Sequence, residues 1–230
     1  MSNFTATPRV KRNTPPRLFY QGRHREAFPY LMEDFQKRCA YSMQHISRAG
    51  GPKNMEVDHF NPNHKKDYFQ EYSNLFLATS HCNGSKSDRW PTNKERNLHF
   101  CFLDCTKDPD YGVHIFEDPD THEVVGVTNE GRYQVRNCDL NAPHFIKERT
   151  ERAAYRETLN NTAITTKLPF PLPPIIDKLF QDLHHVVDEM IPPIPYLSGE
   201  ALEERRAKRR ERDRILKGSV IHTSATPSNF

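Results

Sequence analysis

The run Val57-Asp58-His59-Phe60-Asn61-Pro62, followed by Asn74-Leu75 and Cys82-Asn83-Gly84-Ser85-Lys86, places a carboxylate, an imidazole and three side-chain amides in one short stretch. Hydrolysing a phosphodiester needs a deprotonated water in line with the leaving oxygen. It also needs positive charge on the phosphate as transition-state charge develops. A neutral imidazole accepts the proton near pH 7, a role worth about 10²–10⁴-fold. Magnesium prefers oxygen ligands and keeps several waters, so one carboxylate and one amide oxygen beside a substrate phosphate make a workable site. Asp58 and Asn83 are those oxygens, and His59 is the base beside them.

These side chains need a scaffold, and the flanking sequence supplies one. Met55 to His59 reads as a short strand, Asn61 to Tyr72 as a polar loop, Leu75 to Ala78 as a second strand and His81 to Arg89 as a short helix. Lys86 lies three residues after Asn83, so both share a helix face. Trp90 and Pro91 end the helix, with Trp90 read as core. In the loop, His64, Lys65 and Lys66 are placed to meet phosphate, although a solvated loop is the simpler account.

This strand, loop, strand and helix carrying Asp58, His59, Asn74 and Asn83 resembles the ββα-metal finger of HNH endonucleases, in the variant whose last His is Asn. The resemblance spans about Cys39 to Asp88. It implies His59 as general base, Asp58 and Asn83 as ligands of Mg2+ or Mn2+, and Asn74 as the residue that pins the loop and orients His59. It further implies Lys86 as a phosphate or transition-state contact. Apart from the resemblance, Lys65, Lys66 and Arg89 are the expected nucleic-acid contacts. Many HNH fingers also carry two Cys-x-x-Cys pairs around a structural zinc. Here those positions read Cys39-Ala40-Tyr41-Ser42 and Thr79-Ser80-His81-Cys82, which leaves two of four thiolates. A structural zinc needs four such ligands, so a finger without zinc is expected. Cys101 and Cys105, with His99 or His81, are the residues that could rebuild the site.

Outside the finger, the N-terminal segment 1–24 is basic and broken by proline, with Arg9, Lys11, Arg12, Arg17 and Arg23 and no acidic residue. Such an arm can lie along phosphates without a fold of its own, or be a solvated tail. Phe28, Leu31, Met32 and Phe35 recur at helical spacing within Arg25 to Lys37. His114 to Phe116 and Val124 to Val127 flank Asp118-Pro119-Asp120-Thr121 as a hairpin, with Tyr133 to Val135 as a further strand. A helix from an Asn141 cap to about Asn160 carries Arg149, Arg152 and Arg156; Glu148, Glu151 and Glu157 favour a salt-bridged face over a phosphate row. Residues Lys167 to Ile176 read as a proline-rich linker, Ile175 to Ile191 as an amphipathic helix and Glu200 to Lys217 as a charged helix. His184 and His185 are ordinary histidines, and Gly218 to Phe230 reads as a disordered tail.

The fold class is therefore α+β: a finger with an N-terminal helix, a small hairpin region and C-terminal helices. The expected division is an arm (1–24), a nuclease domain (25–160), a linker with a helical extension (161–217) and a tail (218–230). Five cysteines among 230 residues, an odd number without a framework, argue against a disulfide-stapled secreted fold. No long apolar segment suggests a membrane span, so the expected compartment is the cytoplasm. A net charge of +3 does not by itself indicate a nucleic-acid partner. The order of features also resembles the HNH subunit of bacterial Septu-type and retron-linked anti-phage systems. That implies a DNA-cutting effector working beside an ABC-type ATPase. The competing classes are a nucleic-acid-binding module without catalysis and an adaptor subunit.

Overall fold

The computed structural model describes residues 7–13, 15, 17–165 and 174–221. The chain divides into two compact units, 1–195 and 196–230. In the first unit three two-stranded antiparallel sheets are stitched together by helices. These sheets pair β1 (Leu18–Tyr20) with β3 (Phe69–Glu71), β2 (Met55–His59) with β4 (Leu75–Thr79) and β5 (Ile115–Glu117) with β6 (Val124–Gly126). No helix among the described residues is long and apolar enough to cross a membrane.

The central pair runs in register from Met55 opposite Thr79 to His59 opposite Leu75. Every residue of β4 is buried, because Leu75, Phe76, Leu77 and Ala78 meet packing on both faces. On one side stands α1 (Phe28–Asp34), which follows a 3-10 turn at His24–Ala27 and buries Leu31, with Phe35 just beyond it. Pro29 sits in the first turn of α1, where no amide donor is missed. α2 (Ser80–Lys86) leaves β4 without a loop. Thr79 Oγ1 caps it by accepting from Cys82 N at 3.2 Å. On either side of α3 (Asn93–Asn97), Trp90 and Phe102 stack beside Phe60 and extend the same core.

Several expected elements are corrected. The N-terminal segment is not a free arm over its described residues. The Arg9 guanidinium forms a buried pair with Asp110 at 2.7 Å, and Val10 N donates to Cys105 O at 2.9 Å. Arg12 donates to Leu75 O at 2.8 Å and lies over the Tyr72 ring. Leu18–Tyr20 then pairs with Phe69–Glu71, inside what the sequence presents as a polar loop. Three-residue strands are too short to show a periodicity, and each forms only because the other is present.

Tyr133 to Val135 is not a strand but the middle of α4 (Asn129–Asn137), capped by Thr128 Oγ1, which accepts from Gly131 N at 3.1 Å. Asn141 does not cap α5 (Pro143–Thr165). Its side-chain amide instead clamps β6 through both backbone groups of Val124, at 2.7 and 2.9 Å. Two of the three arginines of α5 are turned away from phosphate, while Arg156 is exposed. Arg149 and Arg152 are buried, Arg152 gripping Glu117 at 2.6 Å and Arg149 donating to the carbonyls of His122 and Leu140. Most of the expected linker lies outside the described residues. α6 begins at Pro174 and runs to Glu189, with Val187 buried and Leu179 exposed.

The second unit holds α7 (Gly199–Ile221). Ion pairs one turn apart, such as Glu204 with Lys208 at 2.6 Å and Glu211 with Arg214 at 2.9 Å, support it as a charged helix. The helix reaches Ile221, past the expected start of the tail, and the remainder of that tail lies outside the described residues.

Candidate functional site

Because side chains alternate along a strand, Glu56 and Asp58 on β2 both reach α2, Glu56 to Asn83 and Asp58 to Lys86. His59 closes β2 and faces β3. A cleft of about 800 Å³ opens there, and Glu56, Asp58, His59, Asn83 and Lys65 all contribute to its wall. The same wall receives His24, Arg25 and Lys53, which makes it cationic around two carboxylates.

Gln70 aligns the imidazole. Its Nε2 donates to Lys65 O at 2.8 Å, so its Oε1 faces His59 Nε2 at 3.0 Å. A carbonyl oxygen can only accept, so Nε2 carries the proton and Nδ1 keeps its lone pair. Among the described residues, Nδ1 has no hydrogen-bond partner. Burial holds His59 below its ordinary value of 6.5, with the Gln70 bond offsetting part of the shift. The imidazole is therefore neutral near pH 7 and able to accept a proton.

Asn74 acts one step further back. Its side-chain amide brackets Asn61, accepting from Asn61 N at 2.8 Å and donating to Asn61 O at 3.1 Å. Phe60 N donates to Asn74 O at 2.9 Å. Asn74 thus fixes the backbone leaving His59, whereas the ring itself is oriented by Gln70.

Lys86 is not placed as a phosphate contact. It is fully buried, and its ammonium donates to Asp58 Oδ1 at 3.1 Å and to His59 O at 2.8 Å. Tyr41 donates its hydroxyl to the other Asp58 oxygen. Burial raises the Asp58 carboxyl, and the Lys86 charge offsets that rise. Lys65 pairs with Asp88 at the cleft, Lys66 is exposed on the same loop, and Arg89 is exposed beyond α2 without contributing to the cleft wall.

Two carboxylates and an amide oxygen are hard donors that suit a magnesium-like ion. Asn83 Nδ2 donates to Glu56, leaving its Oδ1 as the free acceptor of that amide. Asp58 is the constrained member, since Lys86 must yield an oxygen before a cation can share the carboxylate. The donor chemistry therefore fits a divalent ion, with Lys86 as competitor. Among the described residues no three His, Cys, Asp or Glu side chains form a metal-holding group.

The four positions Cys39, Ser42, Thr79 and Cys82 do converge. Thr79 Oγ1 lies 3.8 Å from Cys39 Sγ, and Ser42 N donates to the same sulfur at 3.5 Å. Burial pushes the Cys39 thiol up, yet hydrogen bonding with Cys82, Ser42 and Thr79 outweighs it and brings it down to about 5. Two hydroxyls thus stand where thiolates would be needed for zinc. Cys105 sits against Arg9 and Asp110 and Cys101 near Glu130, each in a setting of its own.

No family model, curated protein or solved structure matches this chain.

The site contains residues that sequence reasoning misses. Glu56 and Gln70 are two. His24 is a third: its ring stands edge-on to His59, 4.8 Å between centroids, with Nδ1 buried and unpartnered among the described residues. Burial and the adjacent His59 both hold His24 below 6.5. Glu56 was open to inspection as the residue two before Asp58, whereas nothing in the local sequence ties Gln70 or His24 to His59.

Proposed function

We propose that this chain is a metal-dependent endonuclease of the HNH type, its catalytic unit a ββα-metal finger made of β2, β4 and α2. The observation that carries the reading is a neutral imidazole with a free Nδ1, locked by Gln70, in one cationic cleft with Glu56, Asp58 and Asn83. His59 Nδ1 takes a proton from water as the water attacks phosphorus and the phosphodiester P–O bond breaks, the leaving oxygen taking up a proton from solvent. Gln70 holds the opposite nitrogen protonated, which leaves the basic lone pair on Nδ1. Lys65, Arg25 and Lys53 attract and seat the phosphate. Glu56, Asp58 and Asn83 would hold a divalent cation, which would supply positive charge for the phosphate.

The test is cleavage of plasmid and oligonucleotide substrates with magnesium, with manganese and with EDTA. The reading expects cutting only with metal, loss of cutting in His59→Ala and Asn83→Ala, and retained folding in both. Metal-independent cutting, or a fully active His59→Ala, would overturn it. The narrower resemblance to anti-phage effectors supports DNA as substrate and an ABC-type ATPase as partner, so the assay is repeated with a co-purified ATPase.

One observation favours a second reading, a nucleic-acid-binding module without catalysis. Lys86 neutralises Asp58 as an internal pair, 3.0 Å from Oδ2, with both side chains buried. On that reading Lys86→Met does not create or enhance any response to metal.

A further inference from the structure

The two-stranded sheet β1–β3 has two unlike faces. Phe19 and Gln70 are cross-strand partners on the buried face, from which Gln70 reaches His59. Tyr20 and Phe69 are partners on the opposite face, 52% and 46% exposed, and Tyr68 beside them is 67% exposed. The three rings touch one another, with centroids 5.3 Å apart for Tyr20 and Phe69, 5.8 Å for Tyr20 and Tyr68 and 4.7 Å for Tyr68 and Phe69. A cluster of three solvent-facing aromatic rings is not explained by folding, which would bury them.

Its position is specific. Gln21, the residue after Tyr20, lines the His59 cleft, and its backbone N–H donates to Tyr68 O at 2.9 Å. The platform and the cleft are therefore adjoining parts of one surface. Among the described residues, Arg25 at the cleft and the exposed Lys66 before the rings form no ion pair, whereas Lys65 pairs with Asp88 and the cleft carboxylates Glu56 and Asp58 are held by Asn83 and Lys86. The nearby acids are engaged locally, Asp67 with His64 at 2.7 Å and Glu71 with Ser73 at 3.1 Å.

We propose that Tyr20, Tyr68 and Phe69 form a stacking platform for the unpaired bases of a single-stranded polynucleotide, whose backbone runs on into the His59 cleft. The proposal rests on the endonuclease reading and adds strandedness to it. Exposed rings beside cationic side chains match the two needs of single-strand binding, a π-face for each base and positive charge for the phosphates. A duplex keeps its base faces covered by their neighbours and offers such rings nothing to stack on.

Binding is measured by fluorescence anisotropy with His59→Ala protein in EDTA, so that the probe is not cut. The probes are a labelled single-stranded oligodeoxynucleotide, its RNA counterpart, the duplex and an abasic strand that keeps the phosphates without bases. Single strands are expected to bind at least about tenfold tighter than the duplex or abasic probe, as stacking of one or more bases implies. The DNA and RNA arms show which sugar is preferred. Adding Tyr20→Leu, Tyr68→Leu and Phe69→Leu keeps apolar area but removes the flat rings. It should bring single-strand affinity down to the abasic level while leaving duplex affinity and the melting temperature unchanged. Equal binding of base-containing and abasic strands, no binding of any probe, or an unchanged affinity in the leucine variant would overturn the platform. So would a leucine variant that loses self-association in sedimentation while oligonucleotide binding persists, because the rings would then be a protein interface. Metal-dependent cleavage by the wild type with ring-independent binding sinks the platform alone. Ring-dependent binding without cleavage in any metal, with or without the co-purified ATPase, sinks the endonuclease reading alone.

Discussion

Two buried carboxylates in this chain are neutralised differently. Glu117 in β5 is enclosed: Arg152 reaches both of its oxygens, at 2.6 and 2.7 Å, and His122 Nδ1 lies 2.7 Å away. Arg152 spends its other donors on the carbonyls of Ile191 and Pro192, and Glu148 accepts from Ile191 N, so the polar groups there answer one another. Asp58 has a point-charge partner in Lys86 and a hydroxyl from Tyr41, and it borders a cleft where His59 Nδ1 and His24 Nδ1 have no partner among the described residues. A saturated network holds elements in place, whereas a site with spare acceptors at a cleft is equipped to take a ligand.

This contrast can be broken or sharpened by experiment. The largest effect is expected at His59. His59→Ala should lower cleavage by about 10²–10⁴-fold while urea unfolding stays close to wild type. A matching loss of stability would move His59 to the structural side of the comparison. Next come the two cations. Arg152→Met leaves Glu117 without its guanidinium and should cost about 3–5 kcal/mol in urea unfolding. Lys86→Met should cost a similar amount in EDTA, but millimolar magnesium or manganese should raise its melting temperature and leave that of Arg152→Met unmoved. Equal responses of the two variants would erase the distinction.

Gln70→Leu removes the acceptor that fixes the His59 tautomer. Partners of this kind are worth about 10–100-fold, so kcat should fall with KM little changed. The smallest effect is that of pH. Burial lowers the folded pKa of both His59 and His24 below 6.5, so on acidification the unfolded state binds protons first. Their contribution to stability is complete above about 6.5 and declines below it, and the acid limb of the cleavage profile should also lie below 6.5. An acid limb above 6.5 would contradict a buried, neutral base.

The legible parts of the fold are those where local pattern and local structure coincide. Met55–His59 and the β5–β6 hairpin show as short apolar runs bounded by turn residues, and both form strands. The helical stripe at Ile176 to Met190 corresponds to α6. Tyr133 to Val135 misleads because three residues of alternating polarity fit a helix turn as well as a strand. Asn141 misleads because an amide near a helix start can equally serve a distant strand, and here Val124 claims it. In the site, Asp58, His59 and Asn83 are visible from type and spacing. Gln70 is hidden because β3 exists only through its pairing with β1, and His24 because a 3-10 turn far upstream carries it to His59.

By itself the sequence determined the short apolar runs, the helical stripes and the presence of an Asp-His pair with an Asn in a following helix. These depend on near neighbours along the chain, where propensity and periodicity act. Only the tertiary structure decided that Arg9 locks to Asp110 across 101 residues, that Lys86 turns inward onto Asp58, and that His24 and Gln70 complete the surroundings of His59. Such contacts form when burial strips water from charges and amides, and each must then find whatever partner the closed chain has brought within reach.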